Sequence, residues 1–193
     1  MSIFSKENIK FAKRWIKNPS RMGTFLPLSP KVGKKLIDNM PEISDNGYIL
    51  EIGSGSGALT KFLYQNEKIN KRIICIEIDK ELCNILHSKF PELSIINQSA
   101  AELERYIDHD LLNKVEIIVS SIPFLSINKS ITNAIINSCV KIMNLNHGKM
   151  LHVSYTPFVR IKSSNYGMKK IFCKPIWGVP ITYLNCYEIN NDS

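Results

Sequence analysis

Residues 48–57 constrain the fold of this chain more than any other stretch, and they read Tyr-Ile-Leu-Glu-Ile-Gly-Ser-Gly-Ser-Gly. The first five form a short, apolar, β-prone run, and the three glycines that follow remove the side chains from the next turn. Residues 58–64 then carry helical spacing of apolar groups. The stretch therefore predicts a strand, a glycine loop and a helix, with the backbone N–H groups of the loop and the helix N-terminus directed at one place.

This loop has two functional interpretations. Gly53-x-Gly55-x-x-Ala58, with the acid Glu77 about 20 residues further on, satisfies the dinucleotide-binding fingerprint. However, Glu51 lies inside the strand, and the chain is short for a second mononucleotide half plus a substrate domain. The pattern Glu-x-Gly-x-Gly-x-Gly resembles the first motif of class I S-adenosylmethionine methyltransferases. That resemblance implies that Glu51 faces the methionine end of S-adenosylmethionine and that Glu77 binds its ribose hydroxyls. An ordinary strand-to-helix turn is the remaining alternative.

Length and composition indicate one globular domain, because the chain has 193 residues of which 44% are hydrophobic. No apolar run reaches the roughly 18 residues of a membrane span, and the N-terminus lacks the pattern of a signal peptide. We therefore expect a cytoplasmic protein. The five cysteines lack C-x-x-C spacing, so we expect reduced thiols, no disulfide framework and no metal site.

The N-terminal segment concentrates positive charge, in a chain whose formal net charge is +8. Residues 2–18 predict a basic amphipathic helix that Pro19 ends, which divides the chain into this helix, 1–18, and a catalytic domain, 19–193. The helix could pack on the domain with its charged side in solvent, or lie at an anionic membrane surface. Nucleic acid is the other anionic partner that such a segment suits.

The rest of the chain alternates strands and helices. Strands are predicted at 72–77, 93–97, 115–120 and 148–155, and helices at about 30–39, 79–90, 100–110 and 130–145. Segments 169–177 and 181–189 are expected to pair antiparallel. The predicted fold class is therefore α/β and Rossmann-like, a mostly parallel seven-stranded sheet with helices on both faces and an antiparallel C-terminal strand.

Ligands of such sheets bind beyond the carboxyl ends of the strands, where the strand order reverses. Many methyltransferases carry an acid for the adenine amino group after the third strand, where this chain has Ser99. The resemblance leaves the adenine contact open at that position. The predicted cofactor-binding residues are Thr24, Glu51, Gly53, Ser54, Gly55, Gly57, Glu77, Ile78, Ser99, Ala100 and Ser120.

The acceptor site is predicted after the fourth strand, at Ser120-Ser121-Ile122-Pro123-Phe124. Amino-methylating enzymes place Asn or Asp, then x-Pro-aromatic, there, and Ser121 replaces that first residue. Pro123 is expected to fix the loop and leave carbonyls free to accept from an amine, and Phe124 to pack on substrate or methyl donor. Tyr155, after the fifth strand, is the candidate for orienting the amine. A strand-ending turn with a core Phe is the alternative. The predicted catalytic residues are Ser121, Pro123, Phe124 and Tyr155.

Over nearly its full length the chain resembles the bacterial phospholipid N-methyltransferases, which methylate phosphatidylethanolamine. Residues 120–126 and the Ser154-Tyr155-Thr156-Pro157 stretch carry this resemblance most specifically. It implies methylation of a phospholipid amine at the inner face of the cell membrane, with the N-terminal helix docked on anionic lipid. Ser99 and Gly178-Val179-Pro180 depart from the family pattern.

Two alternatives remain. Gly23-Thr24-Phe25-Leu26, residues 51–60 and Ile122-Pro123-Phe124 are similar to the ribosomal RNA adenine dimethyltransferases, which implies an RNA partner. Those enzymes resemble one another in a helical C-terminal domain, for which we expect no room before Ser193. A non-catalytic, membrane-binding module with the cofactor fold is compatible with Ser99 and Ser121.

Overall fold

A computed structural model describes residues 29–157, 161–178 and 180–190. The predicted N-terminal helix, the boundary that follows it, and Thr24 lie outside the described residues, so these remain predictions.

One seven-stranded sheet forms the centre of the fold, in the order β3-β2-β1-β4-β5-β7-β6. All its neighbouring pairs among β1 to β5 are parallel, whereas β7 runs antiparallel to both β5 and β6. The predicted fold class and the antiparallel pairing of the last two segments are confirmed. The strands are β1 (Tyr48–Ile52), β2 (Ile73–Ile76), β3 (Ser94–Ile96), β4 (Val115–Ser120), β5 (Lys149–Ser154), β6 (Met168–Ile176) and β7 (Thr182–Ile189).

Five α-helices lie in the described residues: α1 (Pro30–Asp38), α2 (Thr60–Tyr64), α3 (Lys80–Lys89), α4 (His109–Leu112) and α5 (Lys129–Asn146). The prediction of one helix over 100–110 is wrong. A 3-10 turn, Leu103–Arg105, and the separate α4 replace it. The reason is local, since the side chain of Asp108 accepts a hydrogen bond from the backbone N–H of Asp110 and so starts a new helix.

Each face of the sheet packs against its own hydrophobic core, as the alternation along β1 shows. Leu50 and Ile52 pack with α5 on one face, while Ile49 packs with α1, α2 and α3 on the other. Apolar residues on both sides of the strands agree with a sheet that helices cover on both faces. None of the described helices has the length and apolar character that crossing a bilayer requires.

Contact between α1 and α2 depends on Gly33. A Cβ atom built on Gly33 would overlap the ring of Phe62 at its inner carbon, Cγ. We predict that Gly33→Ala lowers the free energy of unfolding by about 1–3 kcal/mol through overpacking, although alanine favours a helix by about 1 kcal/mol over glycine.

Urea unfolding measures this change, and Gly178→Ala is the matched control, because a Cβ there has only the Pro180 carbonyl nearby, at 3.7 Å. Equal stability of Gly33→Ala and the parent protein would contradict the packing described here.

Candidate active site

The strand order reverses between β1 and β4, and the loops that follow these two strands meet there. Gly53 begins the first loop with φ +68°, and a Cβ on it would lie 2.5 Å from Cγ1 of Ile122 in the second loop. Glycine is needed at this position both for its backbone conformation and for the close approach of Ile122. The predicted cofactor loop and the predicted acceptor loop are therefore in direct contact.

The first loop is anchored to β2 and leaves one backbone segment open. The N–H groups of Gly53 and Ser54 both donate to the carbonyl of Ile76, at 2.8 and 3.2 Å. Gly55, at φ +58°, has no atom of the described residues within 4 Å of where its Cβ would be. A Cβ on Gly57 would instead meet Phe90 at 2.7 Å. Of the three glycines, Gly55 is thus the one with space for a ligand against its backbone.

Glu77 connects this loop to the end of β2. Its Oε2 accepts from the Gly55 N–H at 2.8 Å, and its Oε1 accepts from the Asp79 N–H at 2.9 Å. Burial raises the pKa of this carboxyl, although both backbone hydrogen bonds oppose the shift. Each oxygen keeps a further lone pair, so the carboxylate can also accept from two hydroxyl groups of a ligand.

Glu51 lies beneath the loop and is only 1% exposed. Its Oε2 accepts from the Thr60 hydroxyl at 2.6 Å, whereas its Oε1 is buried and has no hydrogen-bond partner among the described residues. Burial is the largest cause that raises the pKa of Glu51 to about 7. A buried carboxylate oxygen without a donor is unfavourable and suits a ligand that brings a donor or a positive charge.

The end of β3 completes this half of the site. Ser99 is partly buried and its Oγ accepts from the Ala101 N–H at 3.3 Å, while Ala100 is buried. Asn97, which the sequence analysis missed, donates from Nδ2 to the Glu77 carbonyl at 2.9 Å and so braces that residue. Its place at the end of the third predicted strand was the available signal. Ile78 is partly buried between Glu77 and Asp79.

The loop after β4 uses some of its hydrogen-bond acceptors to close turns and leaves others open. The Ile122 carbonyl accepts from the Phe124 N–H and the Pro123 carbonyl from the Ser126 N–H, each at 2.9 Å. Both carbonyls close turns and each keeps one lone pair, so their role as acceptors for an amine stays a prediction. Ser121 is partly buried, and its carbonyl and hydroxyl accept no hydrogen bond from the described residues. Buried Ser120 holds the loop, since its Oγ accepts from the Ile122 N–H at 3.2 Å.

Phe124 lies in the core rather than at the open edge. Its ring is buried and packs against the ring of His152, with centroids 5.0 Å apart and planes at 42°. This is the core-Phe alternative for the motif, because the turn after β4 directs the ring back under the sheet edge. Burial lowers the pKa of His152 to about 3, so His152 is neutral and packs on Phe124. Tyr155 is partly buried at the end of β5, and burial raises the pKa of its hydroxyl.

A buried polar group beside Phe124 was also missed. Asn185 donates from Nδ2 to the Ser154 Oγ at 3.2 Å. Its Oδ1, the His152 Nδ1 and the Tyr187 hydroxyl have no hydrogen-bond partner in the part of the chain that the structure describes. Both Asn185 and Tyr187 lie on β7, where the sequence pattern indicated only an antiparallel strand.

Within the described residues, no cluster of three or more His, Cys, Asp or Glu side chains could hold a metal ion.

Solved structures share this architecture. A S-adenosylmethionine-dependent methyltransferase from Anabaena variabilis superimposes with a TM-score of 0.66 at 11% identity, covering 94% of each chain. Magnesium protoporphyrin IX methyltransferase from Synechocystis, solved with bound S-adenosylmethionine, gives a TM-score of 0.62 at 7% identity and covers 98% of this chain and 99% of its own. At these identities the likeness shows the fold.

Relatives in sequence are more specific. Proteins named ribosomal RNA small subunit methyltransferase A are 30% identical over 149 residues in Malacoplasma penetrans and 36% identical over 122 residues in Fusobacterium nucleatum. These matches cover 77% and 61% of this chain but 48% and 41% of the relatives, so the chain spans about half their length or less. The family model described as ribosomal RNA adenine dimethylase matches residues 17–170.

These findings correct the sequence-based choice of substrate. The phospholipid N-methyltransferase assignment, its phosphatidylethanolamine substrate and its membrane association are wrong, because the family model and the relatives are all of the ribosomal RNA type. The features that suggested lipid are shared: an amine-methylating loop serves either substrate, and a basic segment suits phosphates of either kind. The predictions of a methyltransferase and of S-adenosylmethionine as its cofactor agree with the family. The chain belongs to the ribosomal RNA adenine dimethylase family.

Proposed function

We propose that the protein transfers methyl groups from S-adenosylmethionine to the exocyclic amine of adenine in ribosomal RNA. Family membership supports this substrate. The observation that carries the proposal is the contact between Gly53 and Ile122, which brings the cofactor loop against the acceptor loop. Methyl transfer is an in-line displacement, so its rate depends on holding donor and acceptor side by side.

The residues around the first loop fit the cofactor. Glu77 would accept from the two ribose hydroxyls, while the open backbone of Gly55 would lie along the cofactor. The unpartnered Oε1 of Glu51 would receive the positively charged methionine end. Ser99, shortly after β3, would lie nearest the adenine of the cofactor. Its hydroxyl would contact that adenine where many methyltransferases use an acid. When bound, the cofactor supplies a methyl group made electrophilic by the adjacent sulfonium.

The second loop would hold the acceptor. The free carbonyl and hydroxyl of Ser121 would accept hydrogen bonds from the amine, drawing its hydrogens into the orientation that directs the nitrogen lone pair at the methyl group. Accepting the methyl group would make the amine more acidic, and its surplus proton would leave to solvent. The Tyr155 hydroxyl, protonated at neutral pH, would orient the base. The neutral ring of His152 would hold the turn at residues 122–124 in place by packing against the Phe124 ring.

Removing the Glu77 carboxylate tests the cofactor half. Glu77→Ala should weaken binding of the methyl donor by about 1.5–3 kcal/mol for each lost charge-assisted hydrogen bond, which titration calorimetry measures directly. Glu81→Ala, in the first turn of the neighbouring helix α3 and exposed, is the control and should bind normally. Unchanged donor affinity in Glu77→Ala would remove Glu77 from the cofactor site.

The acceptor half is tested by Ser121→Ala and Tyr155→Phe. Both should leave donor affinity intact, because neither residue is hydrogen-bonded to the described residues of the first loop, and both should slow methyl transfer to ribosomal RNA in single-turnover assays. We expect the larger loss, about 10-fold or more, in the double variant. Full single-turnover rates in both single variants and in the double variant would place the acceptor elsewhere.

Glu51 should make stability depend on pH. Because burial raises the pKa of its carboxyl from 4.5 to about 7, the folded protein holds a proton that the unfolded chain releases between these values. The free energy of unfolding should therefore fall by roughly 3 kcal/mol as the pH rises from 4.5 to 7, and then level off.

Glu51→Gln should lack this fall and be more stable than the parent protein above pH 7, while binding the methyl donor more weakly. Thermal unfolding across pH, with exposed Glu67→Gln as the control, measures the first effect and calorimetry the second. A variant that is no more stable at pH 8 than the parent would contradict the buried, partnerless carboxylate.

A further inference from the structure

The stretch of chain that carries the acceptor loop, residues 117–187, is free of acidic residues. Between Glu116 and Glu188 the chain contains no Asp or Glu, although it has eight Lys and Arg residues. This span supplies most of β4, all of α5, β5 and β6, and most of β7. Most acids of the described chain instead precede β4 in the sequence. Such asymmetry between two halves is typical of a surface that meets a polyanion.

The lysines of this stretch differ in whether they are paired. Lys141, Lys149 and Lys169 form salt bridges with Glu104 or Glu188. All three lie toward the edge where the parallel strands begin, away from the candidate site. Their charge is therefore largely compensated.

Lysines nearer the candidate site have no ion-pair partner among the described residues. Lys129 is exposed and begins α5, directly after the acceptor loop. Lys162 is exposed and precedes a 3-10 turn that is fixed near the start of α5, where the Tyr166 hydroxyl donates to Asn133 Oδ1 at 2.6 Å. Uncompensated positive charge thus lies along the edge at which the acceptor must arrive.

Trp177 lies at this same edge. Trp177 directly follows Ile176, the last residue of β6, and Ile176 pairs with Thr182 at the start of β7. The next residue of β7, Tyr183, pairs with Ser154 at the end of β5. The connection between β6 and β7 therefore projects beside the loop that carries Tyr155. Trp177 is 70% exposed, the largest exposed fraction among the large hydrophobic side chains described. An exposed aromatic ring at the edge where the acceptor arrives offers a face on which a base can stack.

We propose that Trp177, with Lys129 and Lys162, forms a docking surface for the unpaired RNA strand next to the target adenine, with a neighbouring base stacked on the Trp177 ring. This inference rests on the proposed function and adds to it the path of the RNA. Proteins that bind unpaired strands combine a basic groove for the phosphates with exposed aromatic rings for the bases. The surface extends from the acceptor loop to the β6–β7 hairpin. An RNA strand that crosses it therefore enters the site over residues of the acid-free stretch 117–187.

Fluorescence anisotropy with a short, unpaired, adenine-containing RNA, in the presence of S-adenosylhomocysteine, tests the stacking. Trp177→Ala should weaken RNA binding by about 5- to 100-fold, whereas Trp177→Phe, which keeps a ring, should lose much less. Leu145→Ala is the matched control, because Leu145 is also exposed, at 45%, but lies in the last turn of α5 at the opposite edge. The same RNA without bases should bind the parent protein and Trp177→Ala alike.

The lysines are tested by salt dependence. Lys129→Ala should lower the slope of log affinity against log salt concentration by about 0.7, the value for one lost phosphate contact on a single strand, whereas Lys141→Ala should not. Binding by Trp177→Ala equal to that of the parent protein would overturn the docking surface while leaving the proposed function in place. A parent protein that binds the methyl donor but neither binds nor methylates RNA would overturn both. Calorimetry with the donor shows that each variant is folded.

Discussion

The reversal of strand order between β1 and β4 is the constraint on which the rest of this structure depends. The strands β2 and β3 extend the sheet to one side, and β5, β7 and β6 extend it to the other. The loops after β1 and β4 are therefore far apart along the chain but adjacent in space. Their contact at Gly53 and Ile122 leaves no room for a side chain at position 53. One side of that contact is organised by acids that hold backbone N–H groups, and the other by a short turn built on Pro123.

Much of this arrangement could be predicted from the sequence, and the reasons are local. Strands such as β1 and β4 are short apolar runs bounded by glycine or serine, so their limits and their parallel pairing follow from pattern alone. Glu77 and Gly55 were predicted as partners of one ligand, and they are hydrogen-bonded to each other. The break near Asp108 was not predicted, because a side chain that competes for a backbone N–H overrides weak helical spacing.

Other features depend on tertiary contacts that no pattern reveals. The ring of Phe124 was expected to face a ligand, but His152 on the adjacent strand supplies a buried surface that packs against it. Asn185 and Tyr187 became part of the site's support only through the antiparallel insertion of β7 between β5 and β6. The substrate class was also beyond reach, since lipid and RNA both present phosphates to a basic protein and both offer an amine.

The distribution of charge gives the two halves of the sheet different tasks. The carboxyl groups of Glu51 and Glu77 are buried where a cation and hydroxyl groups would bind. This burial costs stability, and the raised pKa of Glu51 reflects that cost. Residues 117–187, on the acceptor side, contain no Asp or Glu that would repel a phosphate backbone. A site that destabilises its own fold to hold a charged ligand is the expected compromise between stability and activity.

Incubation with methyl-labelled S-adenosylmethionine, ribosomal RNA and phosphatidylethanolamine liposomes in the same reaction, followed by separate analysis of nucleosides and lipids, tests the central claim most directly. We predict label in the exocyclic amine of adenosine and none in the lipid. Label in the lipid without labelled adenosine, or label in neither by a protein that binds the methyl donor, would contradict the assignment of this site to RNA adenine methylation.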